Sequence, residues 1–263
     1  MISEPDAKQN RLLSALPCAV WSSWKEQLKP VELPLGFALY EPGVIQTHAY
    51  FPVTAIVSLL CPLEDGHATE VSVVGNEGVV GVALFMGGES MPGRAVVQSA
   101  GHGYRLNSEF LKREFHREPA VTGLLLRYTH ALITQMALMA VCNRHHSLDE
   151  RLCHWLLLRL DRLPDSHIVM TQELIANMLG VRREGVTEAA VKLQSAEAIR
   201  YSRGRISVLD RRCLERRACE CYAVVKNEYD RLLPDLITEE RHRAQGFGFD
   251  LLPARRRLVP SVR

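Results

Sequence analysis

The sequence lacks the long hydrophobic runs, low-complexity segments and internal repeats that would define an architecture at once. The longest apolar stretch, Ala131 to Cys142, contains Thr134 and Gln135 and is too short to span a bilayer. We therefore expect neither association with a membrane nor a repeat protein. A glycine-rich phosphate loop and a convincing pair of nucleophile and base are also missing, so we predict that the protein is not an enzyme.

The cysteines show neither a disulfide framework nor the spacing of metal ligands. No secretory signal precedes them, so we expect reduced thiols and a cytoplasmic protein. Cys219 and Cys221, with Cys213, lack the spacing of about two to four residues that zinc ligands usually have within a pair. The adjacent His145 and His146 could ligate a metal or respond to pH, but a solvated loop is the favoured interpretation. We predict no metal site and no cofactor.

What the sequence does contain is a globular composition with an uneven distribution of charge. Of its 263 residues, 47% are hydrophobic and 24% charged, which fits one or two domains. The net charge of +2 would not by itself indicate nucleic acid. However, residues 1–120 carry nine Lys/Arg against thirteen Asp/Glu, whereas residues 182–217 carry ten against five, an excess of +5. A basic excess confined to one segment indicates contact with DNA.

The segment Met170 to Gln194 predicts two helices joined by a tight turn. Thr171 is positioned as an N-cap, and Gly180 ends the first helix because glycine accepts the left-handed conformation. Apolar residues recur at helical spacing in both halves: Leu174, Ile175, Met178 and Leu179, then Val186, Ala190, Val191 and Leu193. This pattern is typical of a helix-turn-helix, whose second helix enters the major groove of DNA. An ordinary helical hairpin is the alternative.

A β-hairpin is predicted directly behind the second helix. Residues 198–209 form two strand-like runs around the turn Arg203-Gly204. A hairpin in this position is a wing that lies along the phosphate backbone, and its tip carries Arg203 and Arg205. The sequence therefore predicts a winged helix-turn-helix.

The first half of the chain has the pattern of a β-roll. Short apolar stretches occur at 37–39, 55–61, 70–74, 79–84 and 95–98. They alternate with turns such as Asp65-Gly66 and Gly101-His102-Gly103, which indicates a small antiparallel barrel or roll.

A long helix follows from Pro119 to about Cys142. Leu125, Leu132 and Met139 recur every seven residues, beside a second such row of Leu124, Ala131 and Leu138. We expect one side to face the β-roll and the segment around Leu125 to contact a second copy of the chain; burial within one chain is the alternative.

The complete prediction is an α+β protein in four parts. These are an antiparallel, jelly-roll-like β-roll at 10–120, a connecting and dimerisation helix at 121–146, a winged helix-turn-helix at 147–225 and a loosely ordered tail at 235–263.

This order of parts resembles the Crp/Fnr family of bacterial transcription regulators. The resemblance covers roughly residues 10–225 and is strongest at Thr171-Gln172-Glu173, Leu179-Gly180-Val181 and Arg183-Glu184. In that family an Arg-Glu pair opening the recognition helix contacts base edges, which implies this role for Arg183 and Glu184. The chemistry agrees, because arginine is bidentate to guanine and a carboxylate accepts from cytosine. Glu188 departs from the family, which often has a base-contacting arginine there.

The predicted DNA contacts lie on the two helices and the wing: Thr171, Gln172, Arg182, Arg183, Glu184, Thr187, Glu188, Lys192, Arg203 and Arg205. The resemblance implies double-stranded DNA with a palindromic operator, a second copy of the chain and RNA polymerase as partners.

The sensor half departs from relatives that bind cyclic nucleotides. Arg94 occupies the position of their phosphate-binding arginine, but Ala95 removes the neighbouring hydroxyl and no glutamate precedes Ala83 at the ribose position. Each lost partner costs about 1–3 kcal/mol, so we predict that cAMP is not recognised. Arg94 is the candidate effector contact, with support of the fold as the alternative. Cys18 alone provides too few thiolates for the iron–sulfur cluster of oxygen-sensing relatives.

Two functions remain. The favoured one is a homodimeric DNA-binding transcription regulator, controlled by an unidentified signal at the β-roll. The alternative is a small-molecule-binding regulatory module that acts through protein–protein contacts. Arg183, Glu184 and the basic wing favour DNA.

Overall fold

The computed structural model describes residues 4–64, 66–163 and 167–233, and it contains a β-roll, a long helix and a helical domain with a small sheet. This order confirms the predicted α+β class. The predicted tail at 235–263 and Asp65 of the predicted hairpin turn lie outside the described residues.

Three short helices precede the β-roll: α1 (Glu4–Ala7), α2 (Arg11–Ser14) and α3 (Cys18–Gln27). Buried Asn10 caps α2, because its side-chain oxygen accepts from the backbone N–H groups of Leu12 and Leu13. Its amide also donates to the carbonyls of Pro52 and Gly78, each at 2.9 Å. One side chain therefore attaches the N-terminal helices to two segments of the roll.

The strands of the roll are β1 (Lys29–Leu33), β2 (Ala38–Tyr40), β3 (His48–Pro52), β4 (Ile56–Pro62), β5 (Ala68–Val74), β6 (Arg94–Ser99) and β7 (Gly101–Asn107). They form two antiparallel sheets with the orders β1-β7-β3 and β2-β6-β4-β5, and a short helix, α4 (Ala83–Met86), lies between β5 and β6. Phe51, Val57, Val97 and Leu106 from different strands are fully buried and form the core.

Two predictions in the roll are wrong. Gly101-His102-Gly103 is not a turn but the start of β7, where a side chain on Gly103 would lie 2.5 Å from the carbonyl oxygen of Phe51. Glycine is there because two backbones approach closely, not because the chain reverses. Residues 79–84 are not a strand either: Val80 makes a single bridge to Tyr50, and α4 begins at Ala83.

The helices α5 (Ser108–Arg117) and α6 (Pro119–His145) follow the roll. On α6, Tyr128 donates to the carbonyl of Val79 at 2.9 Å, and Gln135 donates to that of Val73 at 3.2 Å, so one side of the helix packs on the roll. Tyr229 of the last helix, α11 (Glu220–Leu232), donates to Gln135 Oε1 at 3.0 Å.

The predicted dimer row on α6 therefore needs correction. Leu125, Leu132 and Met139 are buried within the protomer, in which α6 packs against β5 and α11. The exposed large apolar side chains of α6 are instead Leu126, Ile133 and Val141, which are 50%, 55% and 45% exposed.

Helix α6 is also the one described helix whose length and composition would suffice to cross a membrane. Its most apolar window is 44% buried inside the protein, and its tyrosine and glutamine side chains bond to the roll and to α11. We interpret it as a core helix with one exposed face.

The C-terminal domain comprises α7 (Leu148–Leu160), β8 (His167–Val169), α8 (Gln172–Leu179), α9 (Arg183–Ser195), β9 (Ile199–Ser202), β10 (Arg205–Val208), α10 (Arg211–Arg217) and α11. Its sheet has the antiparallel order β8-β10-β9. A capping box starts α7, because Ser147 and Glu150 satisfy each other's backbone N–H groups.

Two buried ion pairs join this domain to the β-roll. Arg159 of α7 donates to Glu70 of β5 at 2.6 Å, and Arg162 just beyond α7 donates to Glu77 at 2.8 Å. Gly180, at the turn between α8 and α9, lies against Thr69 of β5. Strand β5 and the loop after it thus form a surface of the β-roll on which the C-terminal domain rests.

Candidate nucleic-acid interface

Helices α8 and α9 form the predicted helix-turn-helix. The Thr171 hydroxyl accepts from the N–H of Leu174 at 3.2 Å and caps α8, while Gly180 ends that helix with φ of 63°. Ala176, a small residue where the helices approach, is buried. The cap, the turn and the small contact residue lie where the sequence pattern indicates.

The inward side of α9 differs from the prediction at one position. Val186, Ala190 and Leu193 are buried as expected, and Ala189 joins them. Val191 is 51% exposed, so its assignment to the apolar side is wrong. Because α9 turns about 100° per residue, burying 186, 189, 190 and 193 directs position 191 away from α8.

The start of α9 presents charged side chains to solvent. Arg182 is the N-cap residue, and Arg183 and Glu184 occupy the first turn; all three are exposed. The half-buried Thr187 hydroxyl donates to Gln172 Oε1 at 2.8 Å and lies 3.1 Å from the carbonyl oxygen of Arg183. This contact fixes the start of α9 against the start of α8.

The wing is a two-residue hairpin. Its turn residues, Arg203 and Gly204, both have positive φ, of 49° and 74°, as in the mirror-image turn that matches the twist of a hairpin. Met170 donates from its N–H to the carbonyl of Gly204 at 2.7 Å, and Tyr201 donates to the carbonyl of Met170 at 2.7 Å. The wing tip is therefore held beside the first residues of α8.

These elements enclose one polar groove with a volume of about 410 Å³. Four of the predicted DNA contacts line it, namely Thr171, Gln172, Arg183 and Arg203. Glu173 also lines the groove, although it is not among the predicted contacts. A groove formed by the N-terminal ends of two helices and a wing tip concentrates N–H dipoles and guanidinium groups at one place.

The remaining candidates lie around the groove rather than in it. Lys192 pairs with Asp149 of α7 at 2.8 Å, and that hydrogen bond raises the pKa of Lys192. Arg205 lines a separate cavity of about 530 Å³ between β8 and the β-roll. Arg182 lies beside the β4–β5 hairpin, and Glu188 is exposed further along α9.

The charges in the groove influence Tyr201 as well. Burial raises the pKa of Tyr201, and the nearby positive charge of Arg183 opposes that shift. The hydroxyl therefore stays protonated and keeps its bond to the backbone at the start of α8. Tyr201 is a positioning residue that the sequence pattern did not reveal, because its partner is a backbone carbonyl.

The candidate effector residue, Arg94, is engaged within the protein. Its guanidinium donates to Glu41 at 2.9 Å, and both side chains are partly exposed. An incoming phosphate would compete with this carboxylate for the arginine.

A second group of polar side chains converges where the sequence predicts no site. The ligand atoms of Cys142, His146, Cys219 and Cys221 all lie within 4.8 Å of one another. Sequence spacing could not show this group, because its two halves are separated by the whole helix-turn-helix and wing. The interpretation of His146 as part of a solvated loop pair is wrong, since its side chain is only 14% exposed and faces Cys221.

The two helices, the hairpin and the groove between them form a winged helix-turn-helix, which follows the β-roll and the long helix. Residues 150–217 match the family model of the Crp-like helix-turn-helix domain. No curated protein matches the sequence. Residues 150–217 therefore form a Crp-like helix-turn-helix domain, and the solved structures below share the fold of the chain.

Three solved structures illustrate the similarity. FixK2 from Bradyrhizobium japonicum is 17% identical, with 73% of this chain and 98% of that chain covered and a TM-score of 0.62. The c-di-GMP-responsive global regulator CLP from Xanthomonas campestris is 14% identical, covering 74% and 100%, with a TM-score of 0.59. A Crp/Fnr family transcriptional regulator from Thermus thermophilus is 22% identical, covering 72% and 98%, with a TM-score of 0.59.

Proposed function

We propose that the protein binds a palindromic DNA operator as a homodimer, under the control of a signal received by the β-roll. Residues 10–120 would form the sensor, 121–146 the connecting and dimerisation helix, and 147–225 the DNA-binding domain. We further propose that it acts in the cytoplasm and contacts RNA polymerase when bound to its operator.

The observation that carries this proposal is the groove between α8, α9 and the wing. Arg183 and Glu184 project from the first turn of α9, the position from which a recognition helix contacts bases. Arg203 lies at the wing tip beside the same groove, where a phosphate would complete the contact. In this proposal, α9 contacts the DNA bases and the wing beside it contacts the DNA backbone.

A homodimer is supported by the exposed face of α6. Leu126, His130, Ile133, Ala137 and Ala140 are all exposed, and their alternating spacing of four and three residues puts them on one face. Two alanines would allow a second helix to approach closely at that end. The stripe is shifted by one residue from the predicted Leu125 row, which the protomer itself covers.

The test is selection of bound sequences from a random pool of duplex DNA by the full-length protein. We expect an inverted repeat with half-sites about 10 bp apart, centre to centre, because a two-fold dimer presents its recognition helices one helical turn apart. Enrichment of a non-palindromic site would contradict the dimer, and recovery of no sequence preference would contradict base-specific recognition. If the protein is instead a regulatory module that acts only through protein contacts, the selection should recover no sequence preference.

A further inference from the structure

Three thiols and one imidazole meet at the junction between α6 and α11. The Sγ atoms of Cys142 and Cys219 are 3.5 Å apart, and Cys221 Sγ lies 3.7 Å from His146 Nδ1. Two ligands on a tetrahedral zinc ion with bonds of about 2.3 Å lie roughly 3.8 Å apart. We infer that Cys142, His146, Cys219 and Cys221 form a binding site for a thiolate-preferring metal ion of the zinc class.

Local secondary structure delivers the four ligands in two pairs. Cys142 and His146 are one helical turn apart at the C-terminal end of α6, so they share a face. Cys219 is the N-cap residue of α11, and Cys221 follows two positions later. The three cysteines are buried as a small cluster of their own, separate from the main hydrophobic core.

The groups behind the ligands support the same assignment. The other ring nitrogen of His146, Nε2, lies 3.4 Å from Glu220 Oε1. A carboxylate that holds the second nitrogen of a histidine fixes its tautomer and orientation, which is a common arrangement around zinc. This second observation is independent of the thiols.

A buried histidine faces the thiols from the opposite helix. His154 of α7 directs Nδ1 to Cys142 Sγ at 3.6 Å and to Cys219 Sγ at 3.9 Å, while its Nε2 is buried without a hydrogen-bond partner in the described structure. Donation from this ring to metal-bound sulfur would offset part of the negative charge of three thiolates around a divalent ion.

The ligand set selects the class of metal. Three thiolates and an imidazole favour zinc over magnesium or calcium, which prefer oxygen ligands. Four protein ligands fill a tetrahedral shell, so the site is structural rather than catalytic. The ion would join the two ends of the segment that contains α7 to α10. Metal binding does not depend on the proposed DNA recognition, and the test below uses no DNA.

The test is metal titration of the reduced, metal-stripped full-length protein with cobalt(II), followed by zinc. We expect one cobalt ion per chain, with the strong visible absorption of four-coordinate cobalt and a sulfur-to-metal band, both lost when zinc displaces the cobalt. Cys221→Ser removes one of the three thiolates, so it should reduce the intensity of the sulfur-to-metal band. It should also weaken zinc binding at least about tenfold. Cys61→Ser and Cys18→Ser, which remove exposed thiols elsewhere, should bind like the wild type.

Glu220→Gln provides a test that does not endanger folding, because its side chain is exposed. It should retain one ion per chain while weakening zinc affinity about 10- to 100-fold. Weak, six-coordinate cobalt absorption would overturn the proposal, as would equal zinc affinity in the wild type and Cys221→Ser. A Cys142–Cys219 disulfide forming in air, with no metal uptake by the reduced protein, would also overturn it.

Discussion

Arg159 of α7 and Glu70 of β5 form an ion pair at 2.6 Å across the junction between the DNA-binding domain and the β-roll, and both side chains are almost fully buried. Ser58 also donates to the same carboxylate, and the Arg159 guanidinium stacks on the ring of Trp155. Removing one member of such a pair leaves the other charge buried and uncompensated, which is more costly than replacing both.

We therefore predict that Glu70→Ala lowers the free energy of unfolding by about 3–5 kcal/mol. Urea titration followed by circular dichroism measures the effect. The double variant Glu70→Met with Arg159→Met should recover much of the loss, since no unpaired charge remains. Lys226→Ala serves as the control, because its pair with Asp230 is exposed and should contribute less than about 1 kcal/mol. A loss of unfolding free energy in the control variant as large as that in Glu70→Ala would contradict this prediction.

Arg183 should distinguish base recognition from general attraction to DNA. We predict that Arg183→Ala costs about 1–3 kcal/mol on the selected operator and relaxes the preference at one symmetric pair of positions. On random DNA the variant should lose only the binding free energy of one phosphate contact. Fluorescence anisotropy with both DNAs measures the difference, with exposed Arg113→Ala on α5 as the control. Equal losses on both DNAs would move the base contact to Arg182, Thr187 or Glu188.

The wing should contribute to affinity without contributing to specificity. Arg203 in the hairpin turn and Arg205 directly after the turn are both exposed, and we predict that they contact phosphate oxygens. The double variant Arg203→Ala with Arg205→Ala removes two contacts from each protomer, so it should reduce the slope of log affinity against log salt by roughly 4 for the dimer and weaken all sequences alike. An unchanged slope would place the wing away from the DNA backbone.

The corrected dimer face gives a prediction about association. Ile133→Lys should shift the protein toward monomers at micromolar concentration, because it puts two charges into the centre of the proposed interface. Sedimentation equilibrium measures this. Val224→Lys on α11 is the matched control, since Val224 is also exposed and apolar but lies off the proposed face. A monomeric wild type, or a dimer that tolerates Ile133→Lys, would refute the assignment.

cAMP should leave operator affinity nearly unchanged. Arg94 is paired with Glu41, and the hydroxyl and glutamate that relatives use for the nucleotide are absent at the corresponding positions. Isothermal titration calorimetry should detect no binding at micromolar cAMP. Micromolar affinity would show that the β-roll binds the nucleotide through other donors.

The sequence was sufficient where the signal is local. Thr171 as a cap, Gly180 as a left-handed helix end and Arg203-Gly204 as a hairpin turn each depend on neighbours in the chain, and the structure confirms them. The glycines of β7 were wrongly predicted to form a turn, because the backbone that requires them lies about 50 positions earlier in the sequence. The DNA contacts stay predictions, and only the fold shows which of the predicted residues share a groove.

Tertiary packing also explains the other errors. Leu125 and its row have the spacing of an interhelical contact, yet they are buried within the protomer, and a seven-residue repeat cannot show which helix is the partner. Cys142 and Cys219 are 77 positions apart, so their proximity follows only from the return of α11 to α6. Both features depend on the last helix, whose sequence indicated little beyond helical character.

Strand β5 lies at the end of the β2-β6-β4-β5 sheet, with a strand partner on one side only. An edge strand with apolar residues is a template for pairing with another chain, and proteins cover such edges to avoid aggregation. Here α8 and the turn at Gly180 pack against β5. By covering this edge, the DNA-binding domain also protects the β-roll from aggregation. Variants that release it from the roll should precipitate before they unfold, and proteolytic removal of the domain should leave a β-roll that aggregates.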